Sequence, residues 1–82
     1  MQNMRMNKTY KLIKHGAFES ECVEVCSDLE ELDEALQSHL LLTAHLGYNT
    51  RITEKGFDVY SQGDMPVLIC YYRIEEEVDG KK

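Results

Sequence analysis

The stretch Ser27 to Gly47, SDLEELDEALQSHLLLTAHLG, is the segment that most constrains the fold, because its pattern reads as one amphipathic helix throughout. Ser27 followed three residues later by Glu30 makes a capping-box pattern, in which each side chain satisfies an orphan backbone N–H of the other residue. Asp28, Glu30, Glu31, Asp33 and Glu34 crowd the first two turns, where the positive end of the helix dipole favours carboxylates. At about 100° per residue, Leu29, Leu32, Leu36 and Leu40 fall within an arc of roughly 80°, a stripe that faces a core. Gly47 then supplies a left-handed cap. The expected helix runs over Asp28–Leu46.

On both sides of this helix the period changes to that of strands. Thr9 to His15 reads as a first strand, Gly16-Ala17 as a turn and Phe18 to Cys26 as a returning strand. Within that second strand Phe18 and the valines Val23 and Val25 differ in parity. Either the strand begins after Phe18 or a bulge re-phases it. After the helix, Tyr48 to Glu54 is a third strand, Lys55-Gly56 a turn pair and Phe57 to Ser61 a fourth strand. Pro66 stands where a last strand would begin, the place at which a missing N–H does least harm. Val67 to Glu75 is apolar on both faces, which predicts a central strand. The order ββαβββ is an α+β domain, a mostly antiparallel sheet of four or five strands with one helix packed on one face. Residues 1–82 form a single domain, with residues 1–6 and 76–82 expected to be mobile ends.

Charge narrows the partners. A net charge of −6 disfavours direct binding to nucleic acid or an anionic membrane, both of which select basic patches. The N-terminus lacks the apolar core of a signal peptide, and the apolar run Met65 to Tyr72 falls far short of the ~20 residues that span a bilayer. A cytoplasmic protein is the expectation. A chain of this length has a thin core, so an oligomeric partner would help it. A helix is about 10 Å wide and strands lie about 4.8 Å apart, so one helix covers two or three strands. A last strand apolar on both faces then implies a second layer, and a homodimer would provide it.

No motif brings chemistry with it. Cys22 and Cys26, four positions apart on one strand, would lie roughly 13 Å from each other. With Zn–S bonds of about 2.3 Å, one ion cannot hold both, so no metal is expected. Those two thiols and Cys70 read as reduced and structural. His39 and His45 are about 240° apart around the helix and cannot chelate together. The glycines are scattered, with no phosphate-binding loop, and no cofactor is implied. The five tyrosines lack the basic neighbours of a base-stacking platform. The expectation is a protein that is not an enzyme, against the alternative of a ligand or catalytic site whose Cys and His side chains meet only in the fold.

The acids remain. From Glu19 to Glu34 the chain has eight carboxylates and no basic residue. Helix capping and dipole explain the five on the helix. Glu19, Glu21 and Glu24 precede it and have no such local reason. Glu30 and Glu34 lie on the exposed side of the helix, and Leu41 and Leu42 fall well off its core stripe, an apolar pair expected in solvent. These seven residues are the candidate partner-binding surface. The function they suggest is a non-catalytic acidic module, a regulator or inhibitor of a larger protein, of a kind common among phage and mobile-element proteins that act on a host protein. The alternative is a homodimeric structural or regulatory subunit.

Overall fold

The computed structural model describes residues 8–78 of the chain. Six elements follow in the expected order: β1 (Lys8–His15), β2 (Ser20–Cys26), α1 (Leu29–His45), β3 (Asn49–Thr53), β4 (Gly56–Tyr60) and β5 (Leu68–Val78). The strands form one open sheet in the order β2-β1-β5-β4-β3, every pair antiparallel, and α1 packs on one face. This is the α+β fold that the sequence implies. β5 is the middle strand of the five, as expected, but only its helix side is an apolar buried face. The other side carries Tyr71, Arg73, Glu75 and Glu77, and Val67, Leu68 and Ile69 are exposed, so the second apolar face expected from the sequence is absent.

The core lies between helix and sheet. Leu12, Phe57, Val59, Cys70 and Tyr72 form its main cluster, with Leu36 and Leu40 of α1 packed on top. Tyr10, Cys26 and Leu32 form a second cluster nearer the start of α1. The Phe57 and Tyr72 rings stack at 4.4 Å between centroids, joining β4 to β5 beneath the helix. The expected stripe therefore holds for three of its four leucines. Leu29 departs from it and is 64% exposed. It sits in the first turn, at the rim of a depression shared with Tyr10, Lys55 and Ile74, beyond the reach of the packed core.

The helix ends are settled by local bonds. Asp28, not Ser27, is the N-cap, and its carboxylate accepts the Glu31 N–H at 2.8 Å. Glu31 in turn reaches back to accept the Ser27 N–H at 2.9 Å. The cap thus lies one residue later than the Ser27/Glu30 pattern implies, because an aspartate follows the serine and caps as well. At the other end Gly47 takes a φ of +100° and donates its N–H to the Ala44 carbonyl at 2.9 Å, the left-handed cap expected there.

Two further differences concern strand ends. Gly56 does not form the β3–β4 turn, since it pairs with Thr53 and leaves Glu54-Lys55 as the loop. Its φ is +152°, and a Cβ there would lie 1.8 Å from the Tyr72 carbonyl oxygen, so glycine is needed for the close approach of β4 to β5. Glu76, Glu77 and Val78, assigned by sequence to a charged tail, continue β5 and pair with Tyr10, Thr9 and Lys8. Lys11 Nζ lies 3.1 Å from Glu77 and Lys8 Nζ 3.7 Å from Glu76, so the charge opposite them lets these acids stay in the strand. Residues 1–6 and 79–82, the rest of the expected mobile ends, lie outside the described residues.

Candidate functional site

The parity conflict in β2 is resolved in both ways that the sequence allows. The strand begins at Ser20, after Phe18, and its pairing with β1 shifts between Leu12 and Ile13. Cys22 pairs with Ile13 and Glu24 with Leu12, which leaves Val23 as an extra residue, a β-bulge. The consequence is electrostatic. Glu21 is opposite Lys14 and Glu24 opposite Leu12, and Lys14 and Leu12 share one face of β1. Without the bulge, Glu21 and Glu24 would point to opposite faces of the sheet. With it, both turn to the helix side.

There they meet α1. Glu24, Glu31 and Glu34 line an open groove of about 350 Å³ between β2 and the helix, together with Val25, Ala35 and Ser38 and with the buried Cys26 at its base. Because β2 is an edge strand, one side of the groove is a strand margin with no neighbour among the described residues. Glu24 Oε2 lies 3.1 Å from His39 Nε2, tying the edge strand to the helix, and the His39 ring rests 5.7 Å from that of Tyr72. Glu31 is held by the Ser27 hydroxyl as well as its N–H. Among the described residues no Lys or Arg comes within ion-pair distance of Glu19, Glu21, Glu24, Glu31 or Glu34. Burial pushes the Cys26 thiol above its ordinary value of 9.0, and Glu31, Glu24 and Asp28 push it the same way. The groove floor is therefore an uncharged thiol under a negative rim.

The remaining candidates divide. Glu19 and Glu21 stand with Lys14 and Phe18 around a second depression, of about 230 Å³, at the β1–β2 turn. Glu30 is exposed on the outer surface of α1, one turn before Glu34, and does not line the groove. Leu41 and Leu42 are 65% and 58% exposed, as the helical wheel predicts. Leu42 lies one turn beyond Ser38 on α1 and does not line the groove.

Two residues enter the site that sequence reasoning left out. Glu31 was assigned to the helix dipole, although its three-residue spacing from Glu34 places both on one side of α1. Phe18, left by the parity conflict either inside the second strand or ahead of it, lies in the turn closed by the Gly16 N–H to the Glu19 carbonyl at 2.8 Å, and it is 100% exposed. Its mismatch in parity with Val23 and Val25 is the signal that could have found it.

The cysteines and histidines separate. Cys26 and Cys70 are buried and Cys22 is exposed, so Cys22 is not the structural thiol expected from the sequence. It occupies the sheet face away from the helix, whereas Cys26 lies on the helix side. His15 Nδ1 is 2.8 Å from the Ser20 hydroxyl, across the base of the β1–β2 hairpin. Among the described residues no cluster of three or more metal-ligating side chains occurs, and no helix is long and apolar enough to cross a membrane. Comparison with protein-family models, curated proteins and solved structures finds no match for this chain.

Proposed function

We propose that the protein acts by binding, as a small acidic regulator or inhibitor that docks its β2–α1 side on a basic surface of a larger protein. The observation that carries this reading is the bulge at Val23, which turns Glu21 and Glu24 to the side occupied by Glu31 and Glu34. Acids from a strand and a helix then form one field along an edge strand, with no Lys or Arg paired to them among the described residues. Such a field raises the rate of encounter with a basic partner and makes that rate fall with salt. Phe18 adds an anchor at one end. A fully exposed aromatic ring beside two acids supplies apolar area that charge alone lacks, and aromatic residues dominate the energy of many interfaces.

The test is charge reversal with the fold intact. Glu19, Glu21 and Glu34 are the positions to change, since Glu24 holds His39 and its loss would confound stability with binding. A partner is captured from the native host by affinity pull-down, and its association rate is measured over a salt series. The Glu19→Lys, Glu21→Lys, Glu34→Lys variant should associate about tenfold more slowly at low salt and lose most of the salt dependence. Equal rates for the variant and the original chain across the series would defeat the proposal. The acids would then serve only to keep an exposed strand edge from pairing.

A further inference from the structure

We infer that the sheet face turned away from α1 seats a second copy of this chain, the two copies packing sheet against sheet. The register defines that face. Val25 and Cys22 come from β2, Lys11, Ile13 and His15 from β1, and Glu75, Arg73 and Tyr71 from β5. Glu77 and Leu68 of β5, Asp58 and Tyr60 of β4 and Arg51 of β3 lie on the same face. Ile69 does not contribute, because a second register shift, beside Tyr60, leaves it as an extra residue that lines a depression on the helix side with Thr43, Val59 and Cys70.

Charge selects the occupant. Lys11, Arg51 and Arg73 on this face balance Asp58, Glu75 and Glu77. Of the chain's 15 acidic and 9 basic residues, these six account for three of each, and the rest of the chain carries the whole net charge of −6. Two copies that approach through other surfaces oppose like charges. Through this face they do not, since its cations are already matched by acids of the same copy, Lys11 by Glu77 and Arg73 by Asp58, and the face is locally neutral.

The centre of the face is already ordered. The Tyr71 ring is stacked on His15 at 4.8 Å and lies 4.5 Å under the Arg73 guanidinium. Arg73 Nη2 is 3.0 Å from Asp58 Oδ1, close enough for an ion pair though not aligned as a hydrogen bond. Tyr and Arg side chains held in advance lose little freedom on association. Beside them Ile13 is half-buried and Val25 is 63% exposed. Five strands about 4.8 Å apart and roughly 20 Å long give a footprint of about 500 Å² per copy, or about 1,000 Å² for the pair. That reaches the size at which specific interfaces begin and suits an affinity in the micromolar range. The carboxylates of the acidic groove lie on the other side of the sheet, and the groove meets this face only at the edge residue Val25.

Cys22 is a built-in reporter, being the exposed thiol of the three and lying on this face opposite Ile13. Sedimentation of the full chain from about 5 to about 500 µM should show the 9.5 kDa monomer giving way to a species of twice that mass. Over the same range the reaction of Cys22 with a disulfide reagent should slow at least about fivefold as the face closes. Val25→Glu, at an exposed edge position, should weaken association about tenfold or more. Alkylation of Cys22 with N-ethylmaleimide should do the same with the sequence unchanged, whereas Glu34→Lys should not weaken it. A monomer throughout the range overturns the inference. So does a dimer in which Cys22 reacts equally fast at both ends of the range, since that dimer uses another surface.

Discussion

The two hairpins at the sheet edges are built on different principles. In β3–β4 the register runs unbroken from Asn49↔Tyr60 to Thr53↔Gly56 around a two-residue loop, and the backbone is pressed against β5. In β1–β2 the register breaks at Val23, the turn carries an exposed Phe18, and the side chains turned towards α1 include Glu21 and Glu24. The regular hairpin serves packing: Phe57 and Val59 are almost fully buried. The irregular one gives up strand regularity and gains an acidic margin. Bulges re-aim side chains, and here the bulge decides which carboxylates share a face.

The sharpest test of this contrast uses one glycine from each hairpin. Gly56→Ala places a Cβ 1.8 Å from a backbone oxygen at a φ of +152°, so β4 and β5 must separate. The expected loss is about 4 kcal/mol or more, at the extreme of single substitutions, and unfolding of the domain is within range. Gly16→Ala meets only the Glu19 carbonyl at 3.4 Å and should change stability by less than about 1 kcal/mol. Urea denaturation of both variants measures the difference. Similar losses at the two positions would remove the distinction between a packed and a permissive hairpin.

An intermediate effect is expected from alkali. Burial raises Cys26 and Cys70 above 9.0 and Tyr72 above 10.0, so the fold favours their neutral forms. Their contribution is complete below the unfolded values and declines as the pH rises through the higher folded ones. Melting temperature should hold near neutrality and fall progressively above about pH 9. The two thiols also separate the halves of the molecule. Acids around Cys26 add to the effect of burial, whereas Lys14 opposes it at Cys70. Added salt should therefore lower the titration of Cys26 and not that of Cys70, followed by thiol reactivity in Cys26→Ala and Cys70→Ala proteins. A melting temperature that stays flat to pH 11 would show that these groups are accessible in the folded state.

The smallest effect is expected at Phe18. Its ring is fully exposed, so Phe18→Ser should alter stability by less than about 0.5 kcal/mol. Phe57 is 1% exposed, and Phe57→Ala should cost about 3–5 kcal/mol. A clear loss of stability in Phe18→Ser would mean that the ring packs within the domain and is not free to anchor a partner.

Much of the architecture was legible because its causes are local. Leu32, Leu36 and Leu40 share a face by the helical period alone, and Gly47 caps because only glycine takes that backbone without cost. The apolar run in β5 implied a central strand and β5 is one, although only the face towards α1 is buried. Even the disorder of parity around Phe18, Val23 and Val25 was visible, although not its outcome. The candidate site was legible only in part. Glu24 and Glu34 line the groove together, but Glu31 beside them and Phe18 at the hairpin tip were assigned to other roles.

What the sequence by itself determined is therefore the order of elements, the helix with its core stripe, and an excess of acids before and within it. Each follows from neighbours three or four residues apart, or from alternation along a strand. What only the tertiary structure decided is the register. Gly56 owes its identity to a strand far from it in sequence, and the bulge at Val23 turns Glu21 and Glu24 to one face. Strand period is two, so one extra residue exchanges the faces of every side chain beyond it. That choice depends on the partner strand and the core beneath it, and no window of local sequence contains them.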